Sequence, residues 1–237
     1  MNQHVLQDRF FNTLVQGDRV AARNLIDECV SADISAEMLI HKLIWPVYEK
    51  VEHLFREDQL STLCHAFATR LLRMLVDQLQ IRLEVSERNG KRALLVCGPR
   101  ESDDLAGQLA ADLLEARGYT VCFAGGGNAN DEIVAQIGQL RPDALVLFGN
   151  APTDLPYIRQ LIDHLHDIGA CPNMQIVVGG GVFNRAEGLA EEIGADLWAM
   201  TPLDLVESML DNPQQRMRKG QRTVGRTRQA DKPAIAA

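Results

Sequence analysis

The chain has 237 residues, 46% of them hydrophobic, and carries 32 acidic against 24 basic side chains for a net charge of −8. That is enough apolar material for one large domain or two small ones, and an acidic body is a poor match to a duplex-DNA-binding domain. There is no run of 18 apolar residues and no signal-peptide core, and five dispersed cysteines show no CxxC spacing; together these exclude a membrane span, a disulfide framework and a zinc site, and imply a reduced, cytoplasmic protein.

Residues 1–88 have helical periodicity throughout, with apolar positions three and four apart. The first two stripes are Val5, Phe10, Leu14 and then Val20, Leu25, Ile26, Val30. A longer one runs from Leu39 through Leu43, Ile44, Val47, Val51 and Leu54, and the last holds Leu60, Leu63, Phe67, Leu71, Leu72, Leu75, Leu79 and Leu83. Gly17-Asp18 and Ser31-Ala32-Asp33 supply turns, Asp33 or Ser35 is placed to cap the third helix, and Pro46 starts or kinks a helix inside the third stripe. The expectation is a four- to five-helix bundle.

Asn89-Gly90-Lys91 marks a change of period. Short, almost wholly apolar strands are predicted at Ala93–Cys97, Thr120–Ala124, Ala144–Phe148, Gln175–Val178 and Leu197–Met200. Helices are predicted near 103–117, 130–139, 153–168, 184–193 and 202–211. Strands without polar alternation are buried on both faces, so residues 91–211 are predicted to be an α/β domain with a five-stranded parallel, flavodoxin-like (Rossmann-like) sheet. Ligands of such sheets sit at the carboxyl ends of the strands. Residues 213–237 hold seven basic side chains against Asp231, a net of +6 that leaves −14 on the rest. This segment is expected to be a disordered, solvated tail, with weak nucleic-acid contact as its alternative role.

Several site classes are excluded. Gly125-Gly126-Gly127 and Gly179-Gly180-Gly181 follow the second and fourth strands, and neither matches a nucleotide-binding glycine fingerprint. A phospho-receiver needs an aspartate after strand 3 and a lysine after strand 5; Phe148-Gly149-Asn150 and Met200-Thr201-Pro202 stand there. No GxSxG, HExxH or supported Cys–His pair is present, so no enzymatic activity is expected.

The stretch Glu101-Ser102-Asp103-Asp104-Leu105-Ala106, between strand 1 and the next helix, resembles the metal-binding loop of cobalamin-binding domains, Asp/Glu-x-His-x-x-Gly. In gapless register Glu101 matches the first acid, Asp103 the histidine and Ala106 the glycine. Phe148-Gly149-Asn150 matches the family's Ser-x-Leu, and Gly179-Gly180 its Gly-Gly. The helical half is similar to the cap bundle beside such domains in methionine synthase and light-sensing repressors, so the resemblance covers about residues 1–211.

The resemblance implies that a corrin sits between cap and sheet, that its nucleotide tail enters between sheet and helices, and that glycines after strand 4 give the backbone room to approach it. The lower cobalt ligand is missing, because a carboxylate is a hard oxygen ligand where corrin cobalt prefers nitrogen, and Ala106 and Phe148 narrow the path of the tail. In the photoreceptors of this superfamily a Trp, nine residues and Glu-His cover the upper corrin face. Here Leu54-Phe55-Arg56 through Cys64-His65 is the local match, and only His65 survives as a candidate metal ligand. His41 and His53 are further axial candidates.

The resulting expectation is a sensory or regulatory protein that binds cobalamin or another tetrapyrrole without the usual lower histidine and controls a partner such as a DNA-binding protein in transcription. Heme or bilin in place of cobalamin, a corrinoid carrier subunit of a methyltransferase system, a ligand-free adaptor and self-association remain as alternatives. Absence of the histidine counts against methyl transfer.

Overall fold

The computed structural model describes residues 3–98, 104–169 and 171–217. Its helical half comprises α1 (Gln3–Val15), α2 (Arg19–Ser31), α3 (Ala36–Leu39), a π-helical stretch (Ile40–Ile44), α4 (Trp45–Arg56) and α5 (Thr62–Gln80). Asp18 caps α2, accepting from the backbone N–H groups of Val20 and Ala21. Ser35 caps α3 through Met38 N–H, and Ser61 caps α5 through Cys64 N–H. Asp33 instead takes a left-handed turn conformation at φ 62°.

Pro46 neither breaks nor begins the helix outright. Lacking an N–H, it leaves the Lys42 carbonyl without its helical donor, and the chain widens into the π-helical stretch just before it. The side chains of Gln7 and Gln3 on α1 donate to that carbonyl at 2.8 and 3.3 Å.

The α/β half alternates β1 (Arg92–Cys97), α6 (Asp104–Ala116), β2 (Thr120–Gly125), α7 (Asn130–Leu140), β3 (Ala144–Phe148) and, after a 3₁₀ turn at Pro152–Asp154, α8 (Leu155–Ile168). It continues through β4 (Gln175–Gly179), α9 (Gly181–Arg185), α10 (Leu189–Ile193), β5 (Leu197–Trp198) and α11 (Pro202–Asp211). All strand pairs are parallel, in the order β2-β1-β3-β4-β5. That is the flavodoxin-like order, whose switch point lies between β1 and β3. β1, β3 and β4 are almost wholly buried, which accounts for their unbroken apolar sequences.

One core is continuous across both halves. It joins the bundle interior to the sheet face covered by α6 and α11, including Leu95, Cys97, Val146, Phe148 and Leu205. A second cluster lies on the other face beneath α7, α8 and α9. Polar ties reinforce the first seam. Arg117 makes a two-pronged ion pair with Glu37 at 2.9 Å, which holds the Glu37 carboxyl below its usual range, and Gln108 donates to Asp77 at 2.6 Å.

Four sequence expectations need correction. Val5, Val20, Leu63 and Phe67 lie on exposed faces, the burial stripes being carried by neighbours such as Phe10, Ala22, Ala68 and Leu72; Phe67 serves as a lid over Gly17. The helix expected over 184–193 is two short helices, because Gly188 turns left-handed at φ 79°. β5 stops at Trp198, two residues early. Residues 213–217 are held on the body, with Met217 N–H donating to Asp196 at 2.6 Å and Gln215 to the Asp196 carbonyl at 3.0 Å. The other basic tail residues lie outside the described ones. No described helix is long and apolar enough to cross a membrane.

Candidate functional site

A cleft of about 690 Å³ opens between the two halves at the carboxyl ends of the strands. One wall is the α4–α5 corner: Glu52, Phe55 and Arg56 near the end of α4, then Asp58 to Ser61, then Thr62 and His65 at the start of α5. The other is Asn150, Ala151 and Pro152 after β3, with Arg185 from the end of α9. The corner exists because Ser61 restarts the helix after a polar turn, so the last turn of α4 and the first turn of α5 face the strand ends together.

His65 is built into this wall. Its ring stacks on Phe55 with centroids 3.9 Å apart, and its Nε2 lies 2.7 Å from Glu52 Oε1. Glu52 and Phe55 together fix the orientation of the His65 ring in this wall. Among the described residues no group of three or more His, Cys, Asp or Glu side chains is placed to hold a metal ion. Leu54 is half-buried and does not line the cleft, whereas its neighbours Phe55 and Arg56 on α4 do. His41 and His53 are not among the lining residues.

The strand-end loops converge on Asn150. Its backbone N–H and that of Ala151 donate to Asp154 Oδ2 at 3.0 and 2.8 Å, its Oδ1 accepts from Gly181 N–H at 3.0 Å, and its carbonyl accepts from Arg185 at 2.6 Å. Its Nδ2 is 3.5 Å from the Tyr48 hydroxyl on α4, a polar thread between sheet and cap. Asp154 is fully buried and serves as the anchor of this loop. Asp154→Ala strands two part-buried N–H groups and is expected to cost about 2 kcal/mol; a chemical-denaturation curve with an unchanged midpoint would contradict the assignment.

Arg56 and Arg185 both face the cleft, alongside the carboxylates of Glu52 and Asp58. Burial, and then the neighbouring Arg56 charge, lower the Arg185 pKa. Arg56 enters the sequence reading only within the Leu54-Phe55-Arg56 match, and Arg185, Glu52 and Asp154 do not enter it at all. The only available signal was Arg185 lying four residues after Gly181, within one helical turn.

Gly149, Gly179, Gly180 and Gly181 are packed together: Gly149 N–H donates to the Gly179 carbonyl at 3.0 Å. Gly180 is held at φ 101°, and a Cβ there would lie 2.4 Å from the Gly149 carbonyl oxygen. Glu101 and Asp103 lie outside the described residues. Asp104 opens α6, 3.9 Å from Arg73 on α5 and facing Gly125, away from the cleft-lining set.

The position on α6 that must be small is Gly107, where a Cβ would meet Cys97 Sγ at 2.4 Å. Counted back from Gly107, the histidine place of the H-x-x-G pattern falls on Asp104. In either register the chain offers a carboxylate there.

Phe148 lies below the cleft, between the sheet and the α6–α11 layer. It is 2% exposed and paired in register with Cys97 and Gly179.

The comparisons agree with this layout. A B12 binding domain model matches residues 91–206, and a second model of the same description matches residues 6–80. A corrinoid protein of Desulfitobacterium hafniense (strain Y51) is 23% identical over 207 residues, which is 85% of this chain and 94% of that protein. The monomethylamine corrinoid protein of Methanosarcina barkeri has a similar fold, with a TM-score of 0.77 at 18% identity over 88% of this chain and 98% of that one.

Proposed function

The chain belongs to the B12-binding domain superfamily, whose cofactor is cobalamin, and from that premise we propose that it is a corrinoid carrier: it holds a corrinoid between cap and sheet and presents it to a partner protein. The observation that carries this reading is the cleft at the strand ends, roofed by the α4–α5 corner and floored by the Asn150 loop. Its make-up suits a corrin ring. Phe55, Leu60, Ala151 and Pro152 offer apolar surface to a flat macrocycle, while Gln59, Ser61 and Asn150 offer hydrogen-bonding groups to peripheral amides. The layer below does not suit the nucleotide tail, because Phe148 fills it.

Bound corrinoid supplies one-carbon carriage at its cobalt. The chain's residues do the positioning. Glu52 fixes the His65 ring, His65 backs Phe55, and Asp154 and Arg185 lock the facing loop. The partner supplies the catalytic groups. The two relatives favour a carrier over the sensory regulator expected from the cap resemblance, since both are named as corrinoid proteins and neither as a regulator.

Full-length protein incubated with hydroxocobalamin and then desalted is expected to keep a stoichiometric corrinoid, visible in its absorption spectrum. Retention of hemin with rejection of every corrinoid would overturn the reading, as would retention of neither.

A further inference from the structure

Among the described residues, the layer between the sheet and α6/α11 is filled where Phe148, Gly107 and Gly179 meet. Phe148 projects from the end of β3 into that layer and belongs to the core that joins sheet, α6 and α11. A single added carbon on Gly179 of β4 would come within 2.8 Å of Phe148 Cε1 and 3.0 Å of Leu205 Cδ1 on α11. An added carbon on Gly107 of α6 would come within 2.4 Å of Cys97 Sγ and 3.5 Å of Phe148 Cδ2. The two glycines that lower the walls of this slot therefore face a phenyl ring and a thiol instead of open space. A dense interior of this kind does not take up even a methylene without rearrangement, and a nucleotide arm is far larger than that. The cleft above it remains open.

Resting on the corrinoid reading above, we infer that this protein binds the corrin ring in the cleft while the nucleotide arm stays outside the sheet, Phe148 being the residue that bars its entry. The substitution of the lower histidine is consistent with the same mode. With Asp103 or Asp104 in its place and the arm excluded, the arm's own dimethylbenzimidazole is the nitrogen base left to hold the lower face of cobalt. Phe148 is thus a specificity-determining residue: it makes the site indifferent to whether a corrinoid carries a nucleotide arm.

The test compares cobalamin with cobinamide, which lacks the nucleotide, on the full-length chain. The two are expected to bind within about threefold of each other. Bound cob(II)alamin is expected to show nitrogen superhyperfine splitting in its EPR spectrum that changes from a triplet to a doublet when the dimethylbenzimidazole is labelled with nitrogen-15. In Phe148→Ala the slot opens, and a preference for cobalamin over cobinamide of at least about tenfold is expected to emerge. Phe148→Trp keeps the slot filled, retains the wild-type ratio, and serves if the alanine variant does not fold.

Cobalamin bound base-off by the wild-type chain, or preferred about thirtyfold or more over cobinamide, would overturn this inference and leave the carrier reading standing. A folded Phe148→Ala that gains no preference would overturn the role of Phe148. Failure of both corrinoids to bind would overturn the carrier reading itself, and this inference with it.

Discussion

Gly180→Ala is expected to lower stability by about 3 kcal/mol or more, the largest loss from a single methyl group in the strand-end region. Two costs coincide at this position. The backbone angles, φ 101° and ψ 167°, lie in a region that only glycine occupies comfortably. The added Cβ also meets the Gly149 carbonyl oxygen at 2.4 Å, a backbone atom that no side-chain rotation can move aside. In a chain of this size the loss corresponds to a melting temperature lower by roughly 10 °C.

Gly90→Ala is the matched control. Gly90 has a similarly positive φ of 76° but open space around its Cβ position, so strain alone, about 1 kcal/mol, is expected. Equal melting temperatures for the two variants would show that the contact with Gly149 is not rigid. Because Gly149 leads directly into Asn150, the Gly180 variant is also expected to bind corrinoid more weakly, whereas the Gly90 variant is not.

The contrast between these glycines shows which features could be recognised in the sequence. Gly179-Gly180-Gly181 after an apolar strand was conspicuous, and the unbroken apolar strands disclosed a sheet buried on both faces. Such features are local, because one strand or one turn carries its own signature. The stripe of α1 was only partly legible. Phe10 and Leu14, four apart, are buried, whereas Val5 stands five residues before Phe10, about 140° away around a helix, and is 60% exposed. The cleft was least legible of all. Glu52, His65, Asn150 and Arg185 are far apart in the chain and meet only because the α4–α5 corner folds over the ends of β3 and β4. Phe148 was recognisable as an obstruction from its place opposite a serine in the family pattern. That it fills the space between Gly107 and Gly179 is visible only when α6 and β4 are packed around it.

The same seam between cap and sheet makes the protein's stability depend on pH, and Asp112→Asn is expected to reveal it. Asp112 sits on α6, 7% exposed, with its Oδ2 lacking a hydrogen-bond partner among the described residues. Burial above all, and then the nearby carboxylates of Asp77 on α5 and Glu115 on α6, push its pKa up to about 7. In the unfolded chain the same group titrates near 4. Between those values the folded state binds the extra proton, so the contribution of Asp112 to stability is greatest below about pH 4, declines as pH rises, and levels off above about 7.

The full span corresponds to roughly 4 kcal/mol. Relaxation and water access at a helix seam reduce the expected gain for Asp112→Asn to about 2 kcal/mol at pH 8, or roughly 6 °C in melting temperature, with little gain near pH 4.5. A constant difference between wild type and variant across this range would assign the effect to packing instead of ionisation. A fall in wild-type stability that the variant does not share would place the titrating group at the contact between α5, which carries His65 into the cleft, and α6, which covers the slot closed by Phe148.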